Sequence, residues 1–138
     1  GESAIEMNIR ALGYYNQGEY DSATLYYRKA LHIDPDDAEA LVGAGNSKSA
    51  QGDYDSATYF FDRALENDPE NNEALYGRGL AYLNRQRPAD AVREGKALYE
   101  LNPGYRQATL LIGDGFFDLQ NFDSACYWYE AGYRADLR

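Results

Sequence analysis

Gly52-Asp53-Tyr54-Asp55-Ser56-Ala57 decides how this chain is read, because Gly18-Glu19-Tyr20-Asp21-Ser22-Ala23 anticipates it almost unchanged 34 residues earlier. Pro35, Pro69 and Pro103 keep the same 34-residue spacing. In that frame Ala23, Ala57, Ala91 and Ala125 share a column, and Tyr27, Phe61 and Tyr129 share another. Ala30, Ala64 and Gly132 form a third column, and Ala11, Gly45, Gly79 and Gly113 a fourth, so small residues recur where helices would touch. A period of this length marks a stack of supersecondary units, none of which can bury its apolar face alone. Four copies fit the chain, at about 4–37, 38–71, 72–105 and 106–138, within a single domain over 1–138.

Each copy carries helix-period apolar residues on either side of a tight turn. The turns fall at Gln17-Gly18-Glu19, Gln51-Gly52-Asp53, Gln86-Arg87-Pro88 and Gln120-Asn121-Phe122. Gly18 and Gly52 suit the left-handed conformation that ends a helix. Between copies, Ile33-Asp34-Pro35-Asp36-Asp37 and Asn67-Asp68-Pro69-Glu70-Asn71 stop one helix and offer capping oxygens to the next. The pattern predicts helices over roughly 5–17, 21–33, 38–51, 55–67, 72–85, 89–101, 106–119 and 123–135 and calls for no strand.

From about Ala4 to Leu137 these residues resemble the tetratricopeptide family. The best stretch is Gly52 to Ala57, with Phe61, Ala64, Leu65 and Asp68-Pro69 following at the family's spacing. The resemblance implies an all-α solenoid of four antiparallel helix-turn-helix hairpins, wound into a right-handed superhelix. Its concave groove would be lined by the first helix of each pair and would hold an extended peptide. Three departures carry expectations. Gly95 stands where a large aromatic is usual, which should loosen the third hairpin, and Leu98 replaces a small residue. Arg10 takes a normally apolar place, as it would if no helix packs in front of the first copy.

Composition narrows the function. An apolar fraction of 44% excludes simple disorder. A formal net charge of −10 would repel phosphate backbones and anionic lipid heads, so neither nucleic acid nor membrane insertion is expected. The N-terminus lacks the layout of a signal peptide. Gly1-Glu2-Ser3 is consistent with a cloning scar, and the chain is read as a fragment candidate of a longer protein. With one histidine and one cysteine, neither a Cys-His nucleophile nor a zinc site is credible, so no enzyme activity, metal or cofactor is expected. His32 reads as a solvated residue near a helix C-terminus, and Cys126 as a small packing residue. Gly43-Ala44-Gly45-Asn46-Ser47-Lys48-Ser49 lacks the Gly-Lys pair and preceding strand of a phosphate loop. Asp34, Asp36 and Asp37 lack the turn glycine and distal glutamate of a calcium loop, leaving capping as their role. Tyr14, Tyr20, Tyr27, Tyr54 and Tyr82 fall in repeat columns and read as core.

Carrying the family's geometry onto this sequence puts Asn8, Leu12, Tyr15, Val42, Asn46, Ser49, Tyr76, Leu80, Leu83, Leu110, Asp114 and Phe117 on the inner face. Gly43 and Gly77 would deepen its floor for a ligand, and Glu39, Glu73, Asp114 and Asp118 would rim it with negative charge. Such a groove suits an extended protein segment with apolar side chains and some Lys or Arg. Asn46 is the leading single residue, since a side-chain amide can pair with both the N–H and C=O of a peptide backbone. The family's carboxylate clamp for acidic chaperone tails is absent, its places holding Asn8, Leu12, Gly43, Glu73 and Gly77. Shifting the frame by one copy recovers only Asn46, beside Val42, Gly77, Gln107 and Leu111. The alternative readings are a homo-oligomer formed through the C-terminal helix, with Tyr127, Trp128, Tyr129 and Tyr133, and a targeting region of a larger enzyme.

Overall fold

The 34-residue pattern becomes eight helices and no strand among the described residues, 3–136, in a computed structural model of the chain. They are α1 (Ala4–Asn16), α2 (Tyr20–Ile33), α3 (Ala38–Ala50), α4 (Tyr54–Asn67), α5 (Asn72–Asn84), α6 (Pro88–Leu101), α7 (Arg106–Asp118) and α8 (Phe122–Asp136). Each predicted helix is present, with no end moved by more than one residue. Gly1 and Glu2 of the suspected scar, and Leu137 and Arg138 at the end of the fourth copy, lie outside the described residues. No described helix is long and apolar enough to cross a membrane.

All four hairpin turns close in the same way. The N–H of Gly18 donates to Tyr15 O and that of Glu19 to Tyr14 O, at 3.0 and 2.9 Å. The pair recurs as Gly52 to Ser49 with Asp53 to Lys48, Gln86 to Leu83 with Arg87 to Tyr82, and Gln120 to Phe117 with Asn121 to Phe116. This double bond pattern is the Schellman closure, which requires a left-handed residue just beyond the helix. Gly18 and Gly52 take it at φ 78° and 79°, as expected from the sequence; Gln86 and Gln120 take it at φ 59° and 62°.

The junctions between copies also repeat. Asp34 and Asp68 fold their carboxylates back onto the N–H groups of Asp36 and Glu70, both at 3.1 Å. Asp37 and Asn71 then cap α3 and α5 by accepting from Ala40 N and Ala74 N. Of the acidic residues after Ile33, Asp34 is thus engaged in a turn bond and Asp37 in a cap bond, while the Asp36 carboxylate instead accepts from Asn67 Nδ2 at 3.3 Å.

The chain forms two compact units, residues 1–77 and 78–138, whose boundary falls within α5. In the first, α1 packs on α2, α3 on α4, and α2 on α3. Its core rests on aromatic rings seated on glycines. Tyr27 of α2 covers Gly43 of α3, and Phe61 of α4 lies against both Gly45 and Gly77. In the second unit α6 packs on α7 and α7 on α8. Arg78 grips Glu94 with two parallel bonds of 2.9 Å, tying the middle of α5 to α6.

Gly95 leaves no gap toward α7. Ile112 of α7 fills the space, and a methyl group at Gly95 would come within 2.6 Å of its Cγ1. Leu98, one turn further along α6, is fully buried, so the bulk missing at Gly95 reappears at Leu98. Arg10 is exposed and stacks its guanidinium over the Tyr26 ring at 5.9 Å. Of the tyrosines expected in the core, Tyr27 is buried, while Tyr14, Tyr20, Tyr54 and Tyr82 are half-buried.

Candidate functional site

The first unit holds an open cavity of about 700 Å³. One wall is Leu12, near the end of α1, which is 46% exposed. The floor is Val42 and Gly43 of α3 with the Tyr27 ring beneath, and Asn46 stands one turn further along α3. The opposite wall is the α4–α5 junction with the first turn of α5, contributing Asp68, Glu70, Asn71, Asn72 and Glu73.

Charge in this cavity has one sign. Glu39, Asp68, Glu70 and Glu73 line it, and no lysine or arginine does. Asp68 is committed to its turn and Asn71 to its cap. Glu39, Glu70 and Glu73 are exposed and make no ion pair among the described residues. Tyr27 registers this environment: burial first, then the Glu39 carboxylate and Tyr15, pushes its hydroxyl up to about 12. An acidic rim over an apolar floor can hold a cation on an aliphatic stem, as lysine and arginine provide.

Leu12, Val42 and Asn46, among the residues expected on the inner face, come together around this cavity, and so do the expected rim residues Glu39 and Glu73. The amide of Asn46 makes no hydrogen bond among the described residues, leaving it open to solvent and ligand. Asn8 does not face a ligand: it is 2% exposed, and its Nδ2 donates to Asp37 at 3.1 Å, bracing the cap of α3 from the first copy. Tyr15 is half-buried, edge-on to Tyr20 at 5.3 Å. Ser49 is half-buried with its Oγ shielded, and Tyr76 is half-buried. In the second unit, Leu80 and Leu83 are half-buried, while Leu110, Asp114 and Phe117 form an exposed stripe along α7. Asp114 accepts a 2.5 Å bond from the Tyr129 hydroxyl, and Phe117 stands edge-on to Phe122 at 5.4 Å.

Two expectations are corrected. Gly43 and Gly77 do not open the floor to a ligand, because the Tyr27 and Phe61 rings already fill the places their side chains would take. Cys126 is not packed away but exposed, 3.6 Å from Glu130, whose carboxylate pushes the thiol pKa up. Sequence reasoning also passed over Tyr27, Glu70, Asn71 and Asn72 as cavity residues. A signal was there: the Asp-Pro junction leads directly into a first helix, so its residues must border the groove face as well as cap it. The phosphate-loop lookalike lies inside α3, where Gly45 receives the Phe61 ring.

Known proteins give this geometry a context. A tetratricopeptide repeat family model matches residues 8–69 and, in an overlapping frame, 42–106. Among curated proteins no sequence matches. Of the solved structures, MamA superposes with a TM-score of 0.88 at 19% identity, covering 96% of this chain and 78% of MamA. The first TPR of Spaghetti (RPAP3), bound to the HSP90 peptide SRMEEVD, reaches 0.82 at 21% identity, covering 86% of this chain and 96% of that one. PilF of Pseudomonas aeruginosa reaches 0.86 at 24% identity, with 96% of this chain and 61% of PilF covered. At such identities the likeness is one of fold.

Proposed function

The chain belongs to the tetratricopeptide repeat family, whose fold serves as a protein–protein interaction scaffold, and we propose that it acts without catalysis by holding an extended apolar and basic segment of a partner. The observation that carries this reading is the cavity between α1, α3 and the start of α5, with its apolar floor and acid-only rim. A lysine or arginine lays its methylene stem along Leu12 and Val42 and brings its charge among Glu39, Glu70 and Glu73. Asn46 pairs with the backbone of the same segment.

The same charges argue against an acidic tail. SRMEEVD, the peptide held by the RPAP3 domain, carries more acid than base. Here Glu73 and Gly77 stand where the family's carboxylate clamp needs basic residues, so an acidic peptide would meet repulsion.

Fluorescence anisotropy with two labelled peptides tests the reading, one alternating apolar residues with Lys and Arg, the other SRMEEVD. The basic peptide should bind, weaken about tenfold in the Glu39→Lys/Glu73→Lys variant, and weaken further as salt rises. Asn46→Ala should cost a smaller factor, about threefold, as expected for one neutral hydrogen bond. Equal binding of SRMEEVD, or basic-peptide binding that ignores the double variant, would overturn it.

A further inference from the structure

Tyr27, Phe61 and Tyr129 share one repeat column, and they differ in what becomes of a hydroxyl there. Phe61 has none and is fully buried between Gly45 and Gly77. Tyr129 donates its hydroxyl to Asp114, 15 residues earlier, at 2.5 Å. Tyr27 is 4% exposed, and its hydroxyl makes no hydrogen bond among the described residues. The column that holds Asp114 in the last copy holds Leu12 in the first, so the hairpin of Tyr27 has no acceptor at that place. A tyrosine hydroxyl on so buried a ring ordinarily finds a partner. Packing does not explain this one, because Phe61 fills the same column without it.

The hydroxyl reaches the cavity. Cζ, the ring carbon that bears it, is the atom nearest to where a side chain at Gly43 would begin, and Tyr27 lines the cavity together with Leu12 and Gly43. On α3, Glu39, Gly43 and Asn46 follow one another at steps of four and three residues, which sets them on one helix face. The hydroxyl therefore emerges over Gly43, with Glu39 one turn before it and Asn46 one turn after. Glu39 acts on it directly, since this carboxylate helps to keep the hydroxyl protonated. In a field set by Glu39, Glu70 and Glu73, a hydroxyl dipole turns its proton toward the carboxylates and its lone pairs toward the open space. The rim would repel a ligand carbonyl there and draw in the N–H of a cation.

Resting on the proposed binding of a basic segment, we infer that Tyr27 recognises a lysine of that segment: its hydroxyl oxygen accepts a hydrogen bond from the ε-ammonium while Glu39 balances the charge. Lysine suits this place better than arginine. An ammonium spreads its donors around a point and can serve a carboxylate and a hydroxyl on different sides, whereas the flat guanidinium fork matches a single carboxylate. The carboxylates attract any cation; the hydroxyl requires one that carries an N–H.

Two labelled, N-acetylated peptides separate charge from hydrogen bonding, one alternating apolar residues with lysine, the other with Nε-trimethyllysine. Both are cations, only the first donates, and the open cavity of about 700 Å³ leaves room for the methyl groups. In fluorescence anisotropy the wild type should hold the lysine peptide about tenfold more tightly, as expected for one charge-assisted hydrogen bond. Tyr27→Phe should weaken the lysine peptide by the same factor and leave the trimethyllysine peptide where it was. Helix content by circular dichroism and the urea midpoint at neutral pH should not fall in this variant, since the column folds with phenylalanine at Phe61. Equal weakening of both peptides would mark a packing effect and sink the inference, as would an undiminished preference for lysine in Tyr27→Phe. If Glu39→Lys/Glu73→Lys weakens both peptides while Tyr27→Phe weakens neither, the cavity still binds basic segments and only the role of Tyr27 falls. If the wild type binds neither peptide, the reading of the cavity falls and this inference with it.

Discussion

The ring of Phe61 occupies the place that a side chain at Gly77 would need, so a methyl group there would overlap its Cζ and Cε1. The ring cannot retreat. On its other side lies Gly45, where an added Cβ would stand 2.6 Å from Cε1, and Phe61 is fully buried between the two. Gly77→Ala gains about 1 kcal/mol of helix propensity but overpacks a closed site at about 2–3 kcal/mol. The expected outcome is a net loss of about 1–2 kcal/mol in urea denaturation. Gly13→Ala, at a helical position with nothing within 4 Å, should instead gain about 0.5–1 kcal/mol. Combining Gly77→Ala with Phe61→Leu should make the alanine less costly than it is alone, a coupling that a double-mutant cycle reads directly.

The same pair shows what a sequence can and cannot say. The 34-residue columns locate Gly43, Gly45 and Gly77 on helix faces and mark them as contact positions, because small residues recur where backbones approach. They do not say what enters the space. Gly43 could have been the floor of a ligand groove or the socket of a ring 16 residues upstream, and only the packing of α2 on α3 assigns it to Tyr27. Cys126 was legible as a packing column for the same reason, but a column carries no information on whether its cover exists. Gly95 with Leu98 is a third case, where bulk moved by one turn reads as a defect until Ile112 is seen to fill the gap. The acidic rim was legible at Glu39 and Glu73 because charge on a first helix needs no tertiary packing to be placed. Glu70 and Asn72 were missed because their visible local duty was to end one helix and begin another.

Gln86 and Gln120 hold the left-handed turn position that glycine holds in the first two hairpins. A side chain with a Cβ is strained there by roughly 1–2 kcal/mol, against which glycine's larger entropy loss on folding must be set. Gln86→Gly and Gln120→Gly should each stabilise the fold by about 0.5–1 kcal/mol, while Gly52→Gln should cost a similar amount. Thermal denaturation of the three variants checks this. Destabilisation by Gln86→Gly would mean that its side chain makes a contact worth more than the strain.

Tyr27 couples the cavity to alkaline pH. Its hydroxyl is pushed from 10.0 in the open chain to about 12 in the fold, chiefly by burial and then by Glu39 and Tyr15. Below pH 10 both states keep the proton, and the group adds nothing to the pH dependence. Between pH 10 and about 12 the unfolded chain releases a proton that the folded chain retains, so stability falls by about 1.4 kcal/mol per pH unit from this residue. Tyr129, raised by burial and by its bond to Asp114, acts in the same direction. Tyr27→Phe should therefore flatten, without abolishing, the decline of the urea midpoint with rising pH over that window. In spectrophotometric titration of the folded protein, Tyr27→Phe should remove phenolate signal that develops near pH 12. If Tyr27→Phe leaves the slope unchanged, the ring is not held neutral by its surroundings, and the environment assigned to the cavity floor is wrong.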